Sequence, residues 1–174
     1  MRIAATFLAL VAGVAALDVW LNWFDNKCRD ANSVRCKSLA PNVCCTVSRA
    51  HRRRGNPFSS IEFRDVPRAW KIEARGYRGD DCRMRQDTRA MRGSLKLCLD
   101  HGAFSGAGYG FLAERAVGAE GCSSSVRPSI LSFSDGPQYN ITDLDDDLLD
   151  VAALGGRSMD VPQKFDANRI DEAL

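Results

Sequence analysis

From residue 59 onward the chain alternates. Ile61 and Phe63 stand against Glu62 and Arg64. After Val66-Pro67 the pattern resumes, with Trp70, Ile72 and Ala74 against Lys71, Glu73 and Arg75. A period of two belongs to a strand with one face buried and the other wet. Gly76 and Gly79-Asp80 supply the turn that ends the second run. Leu95, Leu97 and Leu99 predict another strand over residues 94–99, with Lys96 and Cys98 on its other side. Residues 83–92 are polar, basic and unpatterned, and are expected to be a long connection. Residues 130–134 and 138–142 flank Asp135-Gly136, a two-residue turn signal, and read as a hairpin with Pro137 at its margin. Gly102, Gly106, Gly108 and Gly110 interleave with Phe104, Tyr109 and Phe111. They match neither G-x-G-x-x-G nor a loop ending in Lys-Ser/Thr, so they predict a tightly curved strand or bulge and not a phosphate cradle.

The period changes once. Leu144, Leu148 and Ala152 share a helical face with Leu149 beside it, which predicts a short acidic helix over residues 143–154. Thr142 and Asp145 have capping-box spacing. Asp143, Asp145, Asp146 and Asp147 crowd the first turns, where the helix dipole favours negative charge. Gly155-Gly156 stops it. Residues 157–174 are polar and aperiodic, and are expected to form a flexible tail.

The N-terminus has another pattern. Arg2 precedes an apolar run from Ile3 to Ala12, and Val14-Ala15-Ala16 offers small or β-branched residues for cleavage. Residues 1–16 therefore read as a secretory signal peptide, leaving one domain over 17–156 and the tail. The apolar character continues through Trp20, Trp23 and Phe24, so a retained anchor is the alternative. Asp18 and Asn22 interrupt it short of the length a spanning helix needs. The three aromatic residues are expected to be buried.

Export changes the meaning of seven cysteines: Cys28, Cys36, Cys44, Cys45, Cys82, Cys98 and Cys122. In an oxidising compartment they are disulfide candidates. Seven is odd, so at most three bridges close within the chain. Cys44 and Cys45 cannot sensibly bridge each other, because neighbouring side chains diverge. The doublet should instead tie two distant segments to one spot. Six paired cysteines allow 15 connectivities, and the spacing does not choose. No C-x-x-C pair occurs, and the aspartate run lacks the EF-hand glycine, so neither a metal nor a cofactor is expected.

The formal charge of +2 hides an asymmetry. Residues 1–100 hold 19 Lys and Arg against 10 Asp and Glu, while residues 101–174 hold 5 against 12. The halves can attract each other, or the basic part can serve an anionic partner. Arg75, Arg78, Arg83, Arg85, Arg89 and Arg92 form the candidate anion-binding stretch, with only Tyr77 as an accompanying aromatic. Arg52-Arg53-Arg54 is an exposed loop and a possible processing site. Asn140-Ile141-Thr142 is a glycosylation sequon at Asn140. Secreted ribonucleases combine histidine with a second His or Glu and use Arg to hold phosphate. His51, His101, Glu62 and Glu73 are the candidates for such acid–base work. No G-x-S-x-G elbow is present.

The signal, the Cys44-Cys45 doublet and the segment from Ile61 to Ile72 resemble the small secreted cysteine-rich proteins of filamentous ascomycete fungi, often described as candidate effectors. So do Gly76-Tyr77 with Cys82, Leu97-Cys98-Leu99, and residues 104–111. A fainter similarity is to βγ-crystallin-type Greek-key domains, in Trp70-Lys71-Ile72-Glu73 followed by Tyr77-Arg78-Gly79. The first resemblance implies export and carries no catalytic residues. The expectation is a mainly β, disulfide-stapled, sandwich-like domain that binds an extracellular or host protein or glycan. A secreted RNase-like hydrolase is the alternative, and a basic antimicrobial protein the third.

Overall fold

A computed structural model of the chain describes residues 16–29, 32–47, 57–79, 82–112, 122–144 and 146–170. The expected signal (Ala16 apart), His51 and Arg52-Arg53-Arg54 lie outside these. The fold is mainly β, with two sheets. The larger contains β1 (Leu17–Asn22), β2 (Ser33–Leu39), β4 (Ser60–Arg64), β7 (Leu97–Leu99), β10 (Ile130–Ser132), β11 (Gln138–Asn140) and β12 (Arg169–Ile170). Its order is β12-β11-β10-β2-β1-β4-β7, and every neighbouring pair is antiparallel. The smaller contains β3 (Val43–Thr46), β5 (Lys71–Arg78), β6 (Met84–Arg92), β8 (Gly106–Phe111) and β9 (Ser124–Val126). Its order is β6-β5-β8-β3-β9, with β9 parallel to β3.

The alternation sends one side of each sheet into a shared core. Val19, Leu21, Val34, Ile61, Phe63 and Leu131 of the larger sheet join Ile72, Ala74, Met91, Ala107 and Tyr109 of the smaller in one buried cluster. Each fully buried Val, Leu, Ile or Phe contributes about 1.5–3 kcal/mol relative to exposure, so this sandwich-like layer dominates the stability.

Three disulfides reinforce it: Cys28–Cys98, Cys36–Cys45 and Cys44–Cys82. Cys122 is unpaired. The doublet works because consecutive strand residues point to opposite faces. Cys45 faces inward and ties β3 to β2 across the core, while Cys44 faces outward and meets Cys82. One position therefore holds two bridges on the two faces of one strand.

Several expectations change. Residues 84–92 are not a connection but β6, a sheet edge paired along its length with β5. Only Met91 of that strand is buried, so no apolar alternation advertised it. Charged residues are what an edge needs to resist pairing with another chain. Within β5 the polar positions Glu73 and Arg75 are as buried as the apolar ones. Trp20 and Trp23 are buried, but Phe24 is 63% exposed, because the backbone leaves β1 in the left-handed region at φ 60°. Residues 17–22 form a strand, and no helix among the described residues is long and apolar enough to cross a membrane.

The hairpin forms, but its strands are Ile130–Ser132 and Gln138–Asn140, joined by residues 133–137 and not by a two-residue turn, with Gly136 at φ 112°. Helix α1 (Asp147–Ala153) starts later than its pattern indicated, at N-cap Asp146 without a side-chain cap. Thr142 does not cap it. Its backbone N–H and hydroxyl donate instead to Asn140 Oδ1, at 3.0 and 2.7 Å. Residues 158–160 and 163–168 form 3-10 turns, and Arg169–Ile170 pairs with β11. The segment read as a loose tail thus carries structure to Ile170, anchored by buried Phe165.

Candidate functional site

The two outward faces hold the chemistry. On the larger sheet Asp18, Trp20 and Asn22 of β1 face out, opposite Val19 and Leu21. Register sets Trp20 beside Arg35 of β2 and Glu62 of β4, and Asn22 beside Ser33 and Ser60. Arg64 Nη2 lies 2.5 Å from Glu62 Oε2 and its Nε donates to the same oxygen at 2.7 Å. The guanidinium carbons of Arg64 and Arg35 stand 4.5 and 5.1 Å from the Trp20 ring centroid. These strands flank β1 on its two sides, so cationic groups occupy the ring from both neighbours.

Beside this stack opens a cavity of about 270 Å³. Trp20, Arg64 and Arg29 line it, with the amides of Asn22 and Gln138, the hydroxyls of Ser33, Ser132 and Ser134, and Phe133 and Gly136 from the β10–β11 hairpin. None of the described lining residues is acidic, and the carboxylate next to them is Glu62, paired with Arg64. Arg29 is exposed, and its backbone N–H is held by Asp25 Oδ2, which fixes the segment that carries it. A hollow lined by guanidinium, amide and hydroxyl groups suits oxygen-rich anions, with Arg64 shared between Glu62 and the hollow.

On the smaller sheet the outward face closes over itself. Glu73, Arg75 and Tyr77 of β5 point out beside β8, which presents Gly110, Gly108 and Gly106 in register with them. A Cβ on Gly110 would meet Asn42 Oδ1 at 2.6 Å and Arg75 Nη2 at 2.7 Å. One on Gly106 would meet Cys82 Sγ at 2.7 Å, and one on Gly108 Cys122 Sγ at 3.4 Å. The glycines clear a trough along the strand, and the network fills it. Arg75 Nε donates to Glu73 Oε1 at 2.9 Å and its Nη1 to Asn42 Oδ1 at 3.0 Å, while Arg85 stands 3.6 Å from the same Glu73 oxygen. The glycine run was read as a curved strand or bulge. It is a central strand with no register shift toward β3 or β5, and close packing over its outward side is why it lacks side chains.

Cys122 lies over the middle of this trough, at Gly108. The Sγ atoms of Cys44, Cys82 and Cys122 all fall within 4.8 Å of one another. The Cys122 thiol donates to Tyr77 Oη at 3.4 Å. Burial pushes the Cys122 thiol above its ordinary 9.0, against the opposing effects of that hydrogen bond and of the Arg75 and Arg85 charges. Burial, with the Cys122 contact, also raises Tyr77 far above 10.0.

The other sequence candidates scatter. Arg75 is sealed with Glu73, and Arg85 reaches the same carboxylate. Arg89 donates to the Cys98 carbonyl at 2.8 Å and to Asp100 at 3.2 Å, bridging toward β7. Arg78, Arg83 and Arg92 are exposed. The six arginines therefore do not share one surface. His101 is 77% exposed, with Nδ1 2.7 Å from Asp100 Oδ1. Glu62 and Glu73 lie on opposite outward faces, so these three acid–base candidates do not meet, and His51 is outside the described residues. Asp87 joins Asp100 and His101 in a second group of ligand-type atoms within 4.8 Å, but Asp100 is already engaged by Arg89.

The family model for the ARB_05566_N N-terminal domain matches residues 18–129. The chain belongs to the ARB_05566_N family. Nothing among curated proteins and nothing among solved structures matches it. The ARB_05566_N match spans β1 to β9. It includes all seven cysteines, the glycine strand and Trp20, Arg29 and Arg64, and it ends before the hairpin that supplies Ser132, Ser134 and Gln138. Sequence reasoning missed the cavity residues. The only available signal was the outward phase of β1 and β2, and that phase becomes readable once the strands are known.

Proposed function

We propose that this protein is exported and acts outside the producing cell as an effector-like or toxin-like binding protein. Its contact surface is the outward face of the larger sheet, and its target is an acidic saccharide. The observation that carries the reading is the cavity whose described lining joins Arg29 and Arg64 to five amide and hydroxyl side chains. Arginine pairs with carboxylate or sulfate through two parallel hydrogen bonds, and neighbouring hydroxyls and amides match sugar oxygens. Stacked nucleobases fit less well, because the Trp20 ring already carries two guanidinium groups. Export is supported by three disulfides and by the start of β1 at Leu17, directly after the expected cleavage point. Asn140 is exposed and available as a glycan acceptor in that compartment.

The test is calorimetric titration with a heparin hexasaccharide and a neutral oligosaccharide of equal length. Saturable binding of the acidic sugar only, weakened at least tenfold by either Arg29→Ala or Arg64→Ala and reduced by salt, is the expected result. Absent binding, or binding that ignores both substitutions, overturns the reading. Expression with and without residues 1–16 checks export: the shortened chain should stay inside the cell.

A further inference from the structure

Seven cysteines leave one thiol, and its place is not arbitrary. The Cys122 sulfur lies over Gly108, the direct cross-strand partner of Cys44. The Cys82 sulfur lies over Gly106, one outward position along the same strand. Cys44 therefore sits between two sulfurs, all three within 4.8 Å, in a trough kept open by missing side chains. The third sulfur thus stands within reach of an existing bridge.

We propose that Cys122 is a built-in exchange partner of the third disulfide, so that Cys44 bonds alternately to Cys82 and to Cys122. The Cys122 thiolate attacks Cys44 Sγ. A Cys44–Cys122 bond forms as the Cys44–Cys82 bond breaks, and the departing Cys82 thiolate takes up the proton that Cys122 gave up. One thiol and one disulfide are present before and after, so no oxidant or reductant is needed.

The two forms tie different parts together. Cys44–Cys82 fastens β3 to the connection between β5 and β6. Cys44–Cys122 fastens β3 to the residue leading into β9, its parallel neighbour. Cys82 is held at φ 53°, a region that disfavours residues with a side chain, and release removes one tie that keeps it there. Exchange thus frees the β5–β6 connection and turns the spare thiol from Cys122 into Cys82. The core bridge Cys36–Cys45 faces the other side of β3 and takes no part.

The test begins with the oxidised wild-type chain incubated at pH 8 without reductant. Samples are quenched in acid, and free thiols are trapped with N-ethylmaleimide in denaturant at pH 5, where exchange is suppressed. Peptide mapping then assigns label and bridge. The expected result is two mutually exclusive species. One is labelled at Cys122 with a Cys44–Cys82 bridge. The other is labelled at Cys82 with a Cys44–Cys122 bridge, and its fraction rises to a plateau. Label confined to Cys122 at every time overturns the proposal. A Cys82→Ser variant folded under oxidising conditions should in addition form Cys44–Cys122 and keep no free thiol, and two free thiols in that variant also overturn it. The wild-type map decides the matter even if that variant does not fold.

Discussion

Ile61-Glu62-Phe63-Arg64 on β4 and Ile72-Glu73-Ala74-Arg75 on β5 share one pattern and one local geometry. In each, the arginine Nε donates to the glutamate two residues before it, at 2.7 and 2.9 Å. Yet the Arg64 side chain is 32% exposed and that of Arg75 is 5% exposed. The difference comes from the neighbouring strand. Glu62 lies opposite Trp20, whose ring props Arg64 upright at the edge of a cavity. Glu73 and Arg75 lie opposite Gly110 and Gly108, which offer no side chain, so Arg75 lies down and Asn42 covers it. Cross-strand neighbours, not the motif, decide whether an ion pair is a working surface or sealed structure.

The largest way to break this comparison is to remove the sealed arginine. Arg75→Ala takes away the guanidinium 2.9 Å from the buried Glu73, and should cost about 3 kcal/mol. In Arg64→Ala the lost side chain is 32% exposed, so water can take its place beside the buried Glu62, and losing the pair and the cation–π contact should cost about 1–2 kcal/mol. Urea denaturation of the two variants side by side checks the order, and equal losses would dissolve the distinction. Next comes Gly110→Ala, which places a methyl against Arg75 and Asn42 and should cost about 1–3 kcal/mol by overpacking. If its midpoint matches the parent, the trough is not closed.

A smaller effect sharpens the smaller-sheet side. The raised Cys122 thiol should react with iodoacetamide more slowly near neutrality in the folded chain than in denaturant, and faster as pH rises. Tyr77, Arg75 and Arg85 each favour its thiolate, so Arg85→Gln should slow the reaction further. Equal rates with and without denaturant would show an open thiol. The smallest effect is at Asp135. Its carboxyl sits below the ordinary 3.8 because hydrogen bonds from Ser158 outweigh desolvation. A depressed carboxyl stabilises the fold above its unfolded value, and the contribution is lost as pH falls through the folded one. Stability measured from pH 5 to pH 2.5 should fall less steeply in Asp135→Asn, and unchanged slopes would count against the contact.

Much of this was legible in the chain. Alternation gave β4, β5 and the hairpin, and the doublet's divergence foretold its two bridges. The residues that escaped share a cause. β6 is an edge with polar residues on both sides, so it shows no period. The burial of Glu73 and Arg75 depends on glycines more than 30 residues away, which no local window contains. The cavity draws on β1, β2, β4 and the β10–β11 hairpin, and it appears only after the strand order places them side by side.

The most direct test of the contrast is one nitrogen–proton correlation experiment on the folded chain, following the arginine Nε–H and tryptophan indole signals as heparin hexasaccharide is added. The Trp20 and Arg64 signals should move together and saturate while that of Arg75 stays fixed. A stationary Arg64 with a moving Arg75, or no movement in either, would contradict it.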